Sequence, residues 1–350
     1  MFTEKERLFN AIDRKDIDRS PCICPGGMMN MVTKELMQKT DAIWPDAHSS
    51  SDLMTELSRA VYTFGLFENY GVPFCMTVEA EAMGSSVNFG DMMIEPHIAE
   101  YCLKQSAEWD SLKKIDFESG RAAVVLDSIK KLKEYKDGVP IIGNLTGPVS
   151  VATSVLDPNI FYRGLKKHKE ASKCLMNFIS EQIALFGIKQ LEAGADCITI
   201  SDPSATGEIL GPAAFKEFAI PYINQIIDKI KSCCDTRIIV HICGNMNIVK
   251  NIIADIKADA LSFDSMVNIK DIKKELEGRT MMGNINTYML EFGSKEKIRT
   301  STLKCINDGF HIISPACGLG VGTGLENISS ILSTIKEAAN LDNKKFHSKG

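Results

Sequence analysis

Short runs rich in isoleucine, valine and methionine recur along the chain, and each is followed by polar or glycine residues and then by a stretch with helical spacing. The six clearest runs are 139–145, 196–201, 237–243, 260–264, 280–285 and 309–314, and 72–78 is a further candidate. Most are continuously apolar, which is typical of parallel strands covered on both faces. Strands that alternate with helices indicate βαβ units.

The segments between these runs carry apolar residues at helical spacing. The predicted helices are 52–70, two helices within 158–193 of which the second starts near 171, 212–231, 248–257, 269–276, 295–307 and 325–339. The polar tail 340–350 is expected to fray. Six or more such units without a nucleotide fingerprint at the first turn predict an α/β fold, a (β/α)8 TIM barrel. Residues 1–345 would form this single domain, with 1–70 as a mostly helical N-terminal extension.

Composition excludes several classes of function. The net charge is -5 and no long basic run occurs, so nucleic acid is not an expected partner. No stretch of about 18 apolar residues and no apolar leader occurs, so we expect no membrane partner and a cytoplasmic location. The 11 cysteines are odd in number and scattered, which favours reduced thiols over a disulfide framework.

In a (β/α)8 barrel the site is built at the carboxyl ends of the strands. The residues that close or directly follow the apolar runs form a polar set rich in metal-binding types. They are Glu79, Glu81, Asn144, Thr146, Asp202, His241, Cys243, Asp264, Asn284 and Cys317.

Three members of this set suit a metal ion. His241 and Cys243 are two residues apart at a strand end and would project to the same side, and Cys317 follows the last apolar run. One imidazole and two thiolates suit Zn²⁺, and three protein ligands leave a position open for catalysis. Taken alone, His-x-Cys is more often a packed histidine beside an inert thiol, so the prediction depends on the shared strand-end position with Cys317.

Several segments resemble a known family. They are 6–8 with 18–21, then 73–82, 143–148 and 194–203, and the His-x-Cys motif followed about seventy residues later by a single cysteine. Over about residues 3 to 340 the chain is similar to the methylcobamide:coenzyme M methyltransferases of the uroporphyrinogen decarboxylase superfamily. The resemblance implies a (β/α)8 barrel and zinc ligands at His241, Cys243 and Cys317.

The resemblance also implies a reaction. A methyl group would move from a methylated corrinoid to the thiol of coenzyme M or a similar acceptor, with Zn²⁺ activating that thiol. No Asp-x-His-x-x-Gly motif for holding a corrinoid occurs, so a separate corrinoid protein is the expected partner. Met28, Met29 and Met31 are candidates for its docking surface, and packing is the commoner role of such residues.

The remaining polar residues receive candidate roles. Glu79, Glu81, Asp202 and Asp264 are candidates for completing the zinc shell, orienting His241 or accepting the thiol proton, and each is equally explained as a polar residue lining the mouth. Asn144 and Asn284 are candidate hydrogen-bond donors to substrate. The glycine-rich loop 318–324, with Gly318 and Gly320, precedes a predicted helix and is a candidate sulfonate site, or else a flexible turn.

Three alternatives stay open. A uroporphyrinogen decarboxylase would need clustered arginine near the N-terminus to bind the substrate carboxylates, and residues 22–30 contain none. A second alternative is a different methyl acceptor, with another thiol or tetrahydrofolate in place of coenzyme M. In a non-catalytic corrinoid-binding barrel, His241, Cys243 and Cys317 would not bind metal stoichiometrically.

Overall fold

The computed structural model describes residues 2–347, with side-chain surroundings up to residue 341. The strands are β1 (Tyr70–Val72), β2 (Ser86–Asn88), β3 (His97–Glu100), β4 (Ile141–Thr146), β5 (Cys197–Ser201), β6 (Arg237–Ile242), β7 (Ala260–Phe263), β8 (Thr280–Ile285) and β9 (Ile312–Pro315). Seven of them form one parallel sheet in the order β1-β4-β5-β6-β7-β8-β9, while β2 and β3 form an antiparallel hairpin. Every residue of β4 and β5 is buried, as expected for strands covered on both faces.

Helices surround the sheet. They are α1 (Glu4–Ile12), α2 (Lys34–Thr40), α3 (Ser51–Thr63), α4 (Val78–Met83), α5 (Gly120–Lys133), α6 (Pro148–Val155), α7 (Pro158–Lys167), α8 (Lys169–Ala193), α9 (Gly207–Ala214), α10 (Ile220–Cys233), α11 (Ile269–Ile272), α12 (Thr287–Phe292), α13 (Lys295–Asp308) and α14 (Leu325–His347). Among the described residues, none of these helices is both long and apolar enough to cross a membrane.

An extended segment near the N-terminus closes the sheet into a barrel. Residues 21–24 lie between β9 and β1, and Cys22 forms a parallel bridge with Ile313. The backbone N–H of Ile23 donates to the Ile313 carbonyl at 3.1 Å, and the N–H of Glu68 donates to the Cys22 carbonyl at 2.8 Å. This segment takes the eighth position beside the seven strands. The predicted (β/α)8 barrel is therefore confirmed.

Closure also requires a glycine in β1. A Cβ atom at Gly71 would lie 1.8 Å from the carbonyl oxygen of Pro25. Any residue with a side chain would therefore clash with this oxygen unless the backbone moved. The N–H of Gly71 donates to the buried Ser58 hydroxyl at 2.9 Å. The chain that leaves residues 21–24 can therefore pass directly against β1, which brings the following loop to the mouth of the barrel.

The six strand predictions from β4 to β9 are confirmed within three residues at each end. The run 72–78 was wrongly predicted as a strand, because β1 ends at Val72 and α4 begins at Val78. Pro73 has no N–H to continue a ladder, so the strand ends before it. The hairpin of β2 and β3 was missed because most of its residues are exposed and show no apolar run.

The helix predictions are confirmed for α7, α8, α13 and the segment 212–231, and three others need correction. The helix predicted over 52–70 ends at Thr63, and that over 269–276 ends at Ile272. Residues 248–257 form short 3-10 turns instead of a helix. The helix predicted over 212–231 is confirmed, because the non-helical Gly211, with a φ of 68°, separates it from a short preceding helix and the helical segment then continues to Cys233. The tail was expected to fray, but α14 continues to His347, and 348–350 lie outside the described residues.

Candidate metal centre

Three ligand-type side chains converge at the carboxyl end of the barrel. His241 is the fifth residue of β6, Cys243 follows that strand, and Cys317 follows β9. His241 Nε2 lies 2.9 Å from Cys243 Sγ, which lies 3.0 Å from Cys317 Sγ. One ligand atom from each residue lies within 4.8 Å of the others. Parallel strands end at the same edge, so residues 74 positions apart in sequence meet here.

Ser262 fixes the orientation of the imidazole. It pairs with His241 across β6 and β7, and its hydroxyl lies 3.0 Å from His241 Nδ1. His241 is fully buried, so this contact on Nδ1 leaves Nε2 directed at the two sulfurs. A partner on the second ring nitrogen is the usual support for a metal-binding histidine. The sequence reasoning missed Ser262, although it is the single polar residue within β7.

The two thiols form a strongly coupled pair. The pKa of Cys317 is lowered to about 5, mainly by the hydrogen bond from the Cys243 thiol and also by His241 and the N–H of Gly318, which together outweigh the effect of burial. The same hydrogen bond, together with burial, raises the pKa of Cys243. One sulfur of the pair is thus readily deprotonated near neutral pH, as a metal ligand must be.

The donor set fits Zn²⁺. All eleven cysteines are free thiols, so the short approach of Cys243 and Cys317 is not a disulfide. Two sulfur atoms and one imidazole nitrogen are the borderline-soft ligands that zinc prefers over magnesium or calcium. Among the described residues, this trio is the group of histidine, cysteine and acidic side chains whose ligand atoms could hold a metal ion.

Asp202 lies near this cluster in the sheet but its carboxylate is directed elsewhere. It is fully buried and accepts hydrogen bonds from the backbone N–H groups of Val149 and Ser150 at 3.0 and 2.8 Å. The Ser150 hydroxyl donates to it at 2.7 Å. These donors belong to the first turn of α6, where a carboxylate is favoured. Burial raises the pKa of Asp202 to about 6.

Glu79 and Glu81 are also engaged by the protein. Glu79 accepts from the N–H and the hydroxyl of Thr146, at 2.7 and 2.8 Å, and burial raises its pKa to about 7. Glu81 forms an ion pair with the buried Arg121 at 2.5 Å. Arg121 also donates to Cys75 and Thr77. Both carboxylates thus stabilise the loops after β1 and β4.

Asn144, Asp264 and Asn284 stabilise the mouth of the barrel. Asn144 Nδ2 donates to the Pro25 carbonyl at 2.7 Å and so holds the closing segment. Asp264 Oδ2 accepts from the N–H of Gly244 at 3.1 Å, which fixes the turn after Cys243. Asn284 Nδ2 donates to the Asp264 carbonyl at 3.0 Å. Of the three, Asp264 is the one that contacts the chain directly beside a predicted metal ligand.

The structure does not support an anion site in the loop 318–324. The first N–H of α14, at Leu325, donates at 2.9 Å to a carboxylate of Glu35. Cβ atoms at Gly320 and Gly322 would lie 2.0 and 2.4 Å from the carboxylate of Glu291. Two carboxylates therefore occupy the positions that a sulfonate would need. The N–H of Gly318 instead interacts with Cys317 and lowers the pKa of its thiol.

We expect Ser262→Ala to weaken metal binding without removing it. Loss of the hydroxyl frees the His241 ring to rotate, and outer partners of this kind are worth roughly 10–100-fold in affinity. Competition with a chelator of known zinc affinity measures the effect. Ser333→Ala, on the exposed face of α14, is the control and should bind zinc as the wild type does. Equal affinity in all three proteins would contradict the role given to Ser262.

Comparison with known proteins places this geometry in a family. Residues 3–338 match the model of the uroporphyrinogen decarboxylase (URO-D) family. The methylcobamide:CoM methyltransferase MtbA of Methanosarcina acetivorans is 30% identical over 96% of this chain and 98% of that protein. MtaA of Methanosarcina barkeri, another methylcobamide:CoM methyltransferase, is 29% identical over 96% of this chain and 98% of its own length.

A solved structure agrees with these matches. A methyltransferase from Methanosarcina mazei superposes with a TM-score of 0.87 at 27% identity, covering 96% of this chain and 99% of that one. The likeness therefore extends over the whole barrel rather than one motif. The chain belongs to the uroporphyrinogen decarboxylase family, within its branch of methylcobamide:CoM methyltransferases.

Proposed function

We propose that this protein is a zinc-dependent methyltransferase that moves a methyl group from a methylated corrinoid, carried by a corrinoid protein, to a small thiol such as coenzyme M. The observation that supports it is the convergence of His241, Cys243 and Cys317 at the mouth of a barrel. The names of relatives that cover nearly the full chain support the same reaction.

The chemistry of a thiol explains why a metal is needed. A free alkyl thiol is mostly protonated near neutral pH, while the thiolate is the nucleophile. Zn²⁺ held by the cluster would lower the pKa of a substrate thiol and stabilise its thiolate. In the transfer, a carbon–sulfur bond forms while the cobalt–carbon bond breaks, and the electron pair stays on cobalt as Co(I).

The residues around the cluster favour this reaction over hydrolysis. As metal-bound thiolates, Cys243 and Cys317 would contribute two negative charges, which would balance the charge of Zn²⁺ and leave an incoming sulfur electron-rich. A site of three neutral histidines favours the production of hydroxide instead. The N–H of Gly318 and the bond from Gly244 to Asp264 hold the two cysteine turns in place.

The methyl donor would reach the cluster from the open end of the barrel. Met266 lies in the loop after β7, and Tyr288 and Phe292 lie on α12, which follows β8; their exposed fractions are 60, 72 and 66%. Met29 and Met31, predicted as docking residues, are fully buried, so the docking prediction is wrong for both. We expect the corrinoid protein to contact Met266, Tyr288 and Phe292.

A single assay tests the proposed reaction. The zinc-loaded protein is mixed with methylcobalamin and one acceptor at a time: 2-mercaptoethanesulfonate, 2-mercaptoethanol or tetrahydrofolate. Loss of the methylcobalamin absorption with a thiol supports the proposal. Turnover with tetrahydrofolate and with neither thiol would show that tetrahydrofolate, rather than a thiol, is the methyl acceptor. The absence of a spectral change with every acceptor would refute methyl transfer. The alternative hypothesis of a decarboxylase would then be tested with a porphyrinogen as substrate.

A further inference from the structure

The thiol of the proposed reaction must lose a proton, and the acidic residues selected from the sequence do not serve well as its acceptor. Both carboxylate oxygens of Glu79 and both of Asp202 already accept hydrogen bonds from the protein. Glu81 is paired with Arg121, and Asp264 accepts from the backbone N–H groups of two loop residues. A proton acceptor near neutral pH should have a carboxylate oxygen without a hydrogen bond and no paired cation, because a neighbouring cation lowers the affinity of the carboxylate for a proton.

Glu95 has such an oxygen. It lies in the connection between β2 and β3, and its Oε1 accepts from Asn30 Nδ2 at 2.9 Å. Oε2 has no hydrogen-bond partner among the residues that the structure describes, and the side chain is only partly exposed. No basic side chain of the described part of the chain forms an ion pair with it. Glu95 is therefore a half-buried carboxylate with one free oxygen.

Asn30 connects Glu95 to the metal cluster. Its carbonyl accepts from the N–H of Leu319 at 2.8 Å, so it holds the turn that follows Cys317. A Cβ atom at Gly318 would lie 3.2 Å from the Asn30 nitrogen and 2.5 Å from the Met28 carbonyl, so this packing requires glycine. One residue thus bonds both the Cys317 turn and the free carboxylate.

The charges around Glu95 agree with this placement. Burial is the main cause that raises its pKa to about 7, and the hydrogen bond from Asn30 opposes the shift. The negative charges that Cys75 and Cys317 carry as thiolates raise the pKa further, and a charged His48 would lower it. Burial keeps His48 neutral, with its pKa lowered to about 3. A carboxylate in this environment both accepts and releases a proton near neutral pH.

We propose that Glu95 accepts the proton of the substrate thiol as the thiol enters the metal cluster. The S–H bond breaks, the proton moves to Glu95 Oε2, and the sulfur keeps the electron pair for the metal. Glu95 later returns the proton to solvent from its exposed side, so nothing is oxidised or reduced. This proposal rests on the proposed function, because it requires that a thiol binds at the cluster.

The test uses thiol binding rather than methyl transfer. In protein loaded with Co²⁺, Cys243 and Cys317 would already give sulfur-to-cobalt absorption. Stopped flow with 2-mercaptoethanesulfonate follows the additional band that a third coordinated thiolate, from the substrate, would give. Glu95→Gln keeps an oxygen for Asn30 and removes only the basic oxygen, so the fold should persist. Glu100→Gln, on the exposed strand β3 of the same hairpin, is the matched control.

We expect the band to appear in the wild type at a rate that rises with pH through the titration of Glu95. In Glu95→Gln the rate should fall by about 100-fold and follow only the ionisation of the thiol itself, with the same final band at high pH. The control should match the wild type. If Glu95→Gln kept the wild-type rates and pH profile, the proposed role of Glu95 would be overturned while the proposed thiol site would stand. Absence of the band in the wild type would overturn the proposed thiol site as well.

Discussion

Cys317→Ala is expected to remove both zinc and methyl transfer. The substitution leaves His241 and Cys243 as a two-ligand site that lacks one of its two negative charges. The loss should far exceed the roughly 10–100-fold effect of an outer partner such as Ser262. We therefore expect bound zinc to fall from about one per chain to near zero after dialysis, with no measurable demethylation of methylcobalamin.

Matched cysteine variants make this result specific. Cys233→Ala, at an exposed position at the end of α10, should retain zinc and activity. Thermal unfolding of Cys317→Ala should show a cooperative transition, because Cys317 lies at the surface of the mouth rather than in the core. Full zinc content together with full activity in Cys317→Ala would contradict the metal centre. Wild-type protein that binds no stoichiometric zinc and shows no activity would favour the non-catalytic barrel.

Asp202→Asn is expected to lower stability strongly while leaving zinc in place. The carboxylate accepts three hydrogen bonds from Val149 and Ser150 in a fully buried position. Asparagine has one oxygen in place of two, so its NH₂ group would face an N–H donor. Hydrogen bonds to a charged group are worth about 1.5–3 kcal/mol, and an unsatisfied buried donor adds to the loss. We expect the free energy of unfolding to fall by roughly 3 kcal/mol.

Denaturant unfolding measures this effect. Asp16→Asn, at an exposed position after α1, is the control and should unfold as the wild type does. Zinc content and the Michaelis constant for the thiol should be unchanged in the folded Asp202→Asn protein. The opposite pattern, unchanged stability with weaker thiol binding, would return Asp202 to the substrate-binding role that its strand-end position suggested.

The sequence predicted the strands of the barrel well because their burial on both faces leaves a continuous apolar signal. That signal was enough to locate His241, Cys243 and Cys317 at strand ends, where the topology brings them together. It did not reveal the closing segment 21–24, whose link to β1 uses the side-chain amide of Asn69 as much as a backbone ladder. Side-chain bonds of this kind leave no periodic pattern in a sequence.

The directions of the carboxylate side chains were the part of the site that could not be predicted from the sequence. The acidic residues were selected by position, but Asp202 is drawn to the first turn of α6 and Glu81 to Arg121. Glu95 was missed because it belongs to an exposed hairpin without an apolar pattern. The direction of a carboxylate depends on donors from distant segments, which become neighbours only in the fold.

X-ray absorption at the zinc edge tests the central claim most directly. The purified protein, loaded with one equivalent of zinc, is measured before and after addition of 2-mercaptoethanesulfonate. We predict one nitrogen ligand from His241 and two sulfur ligands from Cys243 and Cys317, with a third sulfur ligand after addition of the thiol. A zinc shell without two sulfurs, or one that gains no sulfur from the thiol, would contradict it.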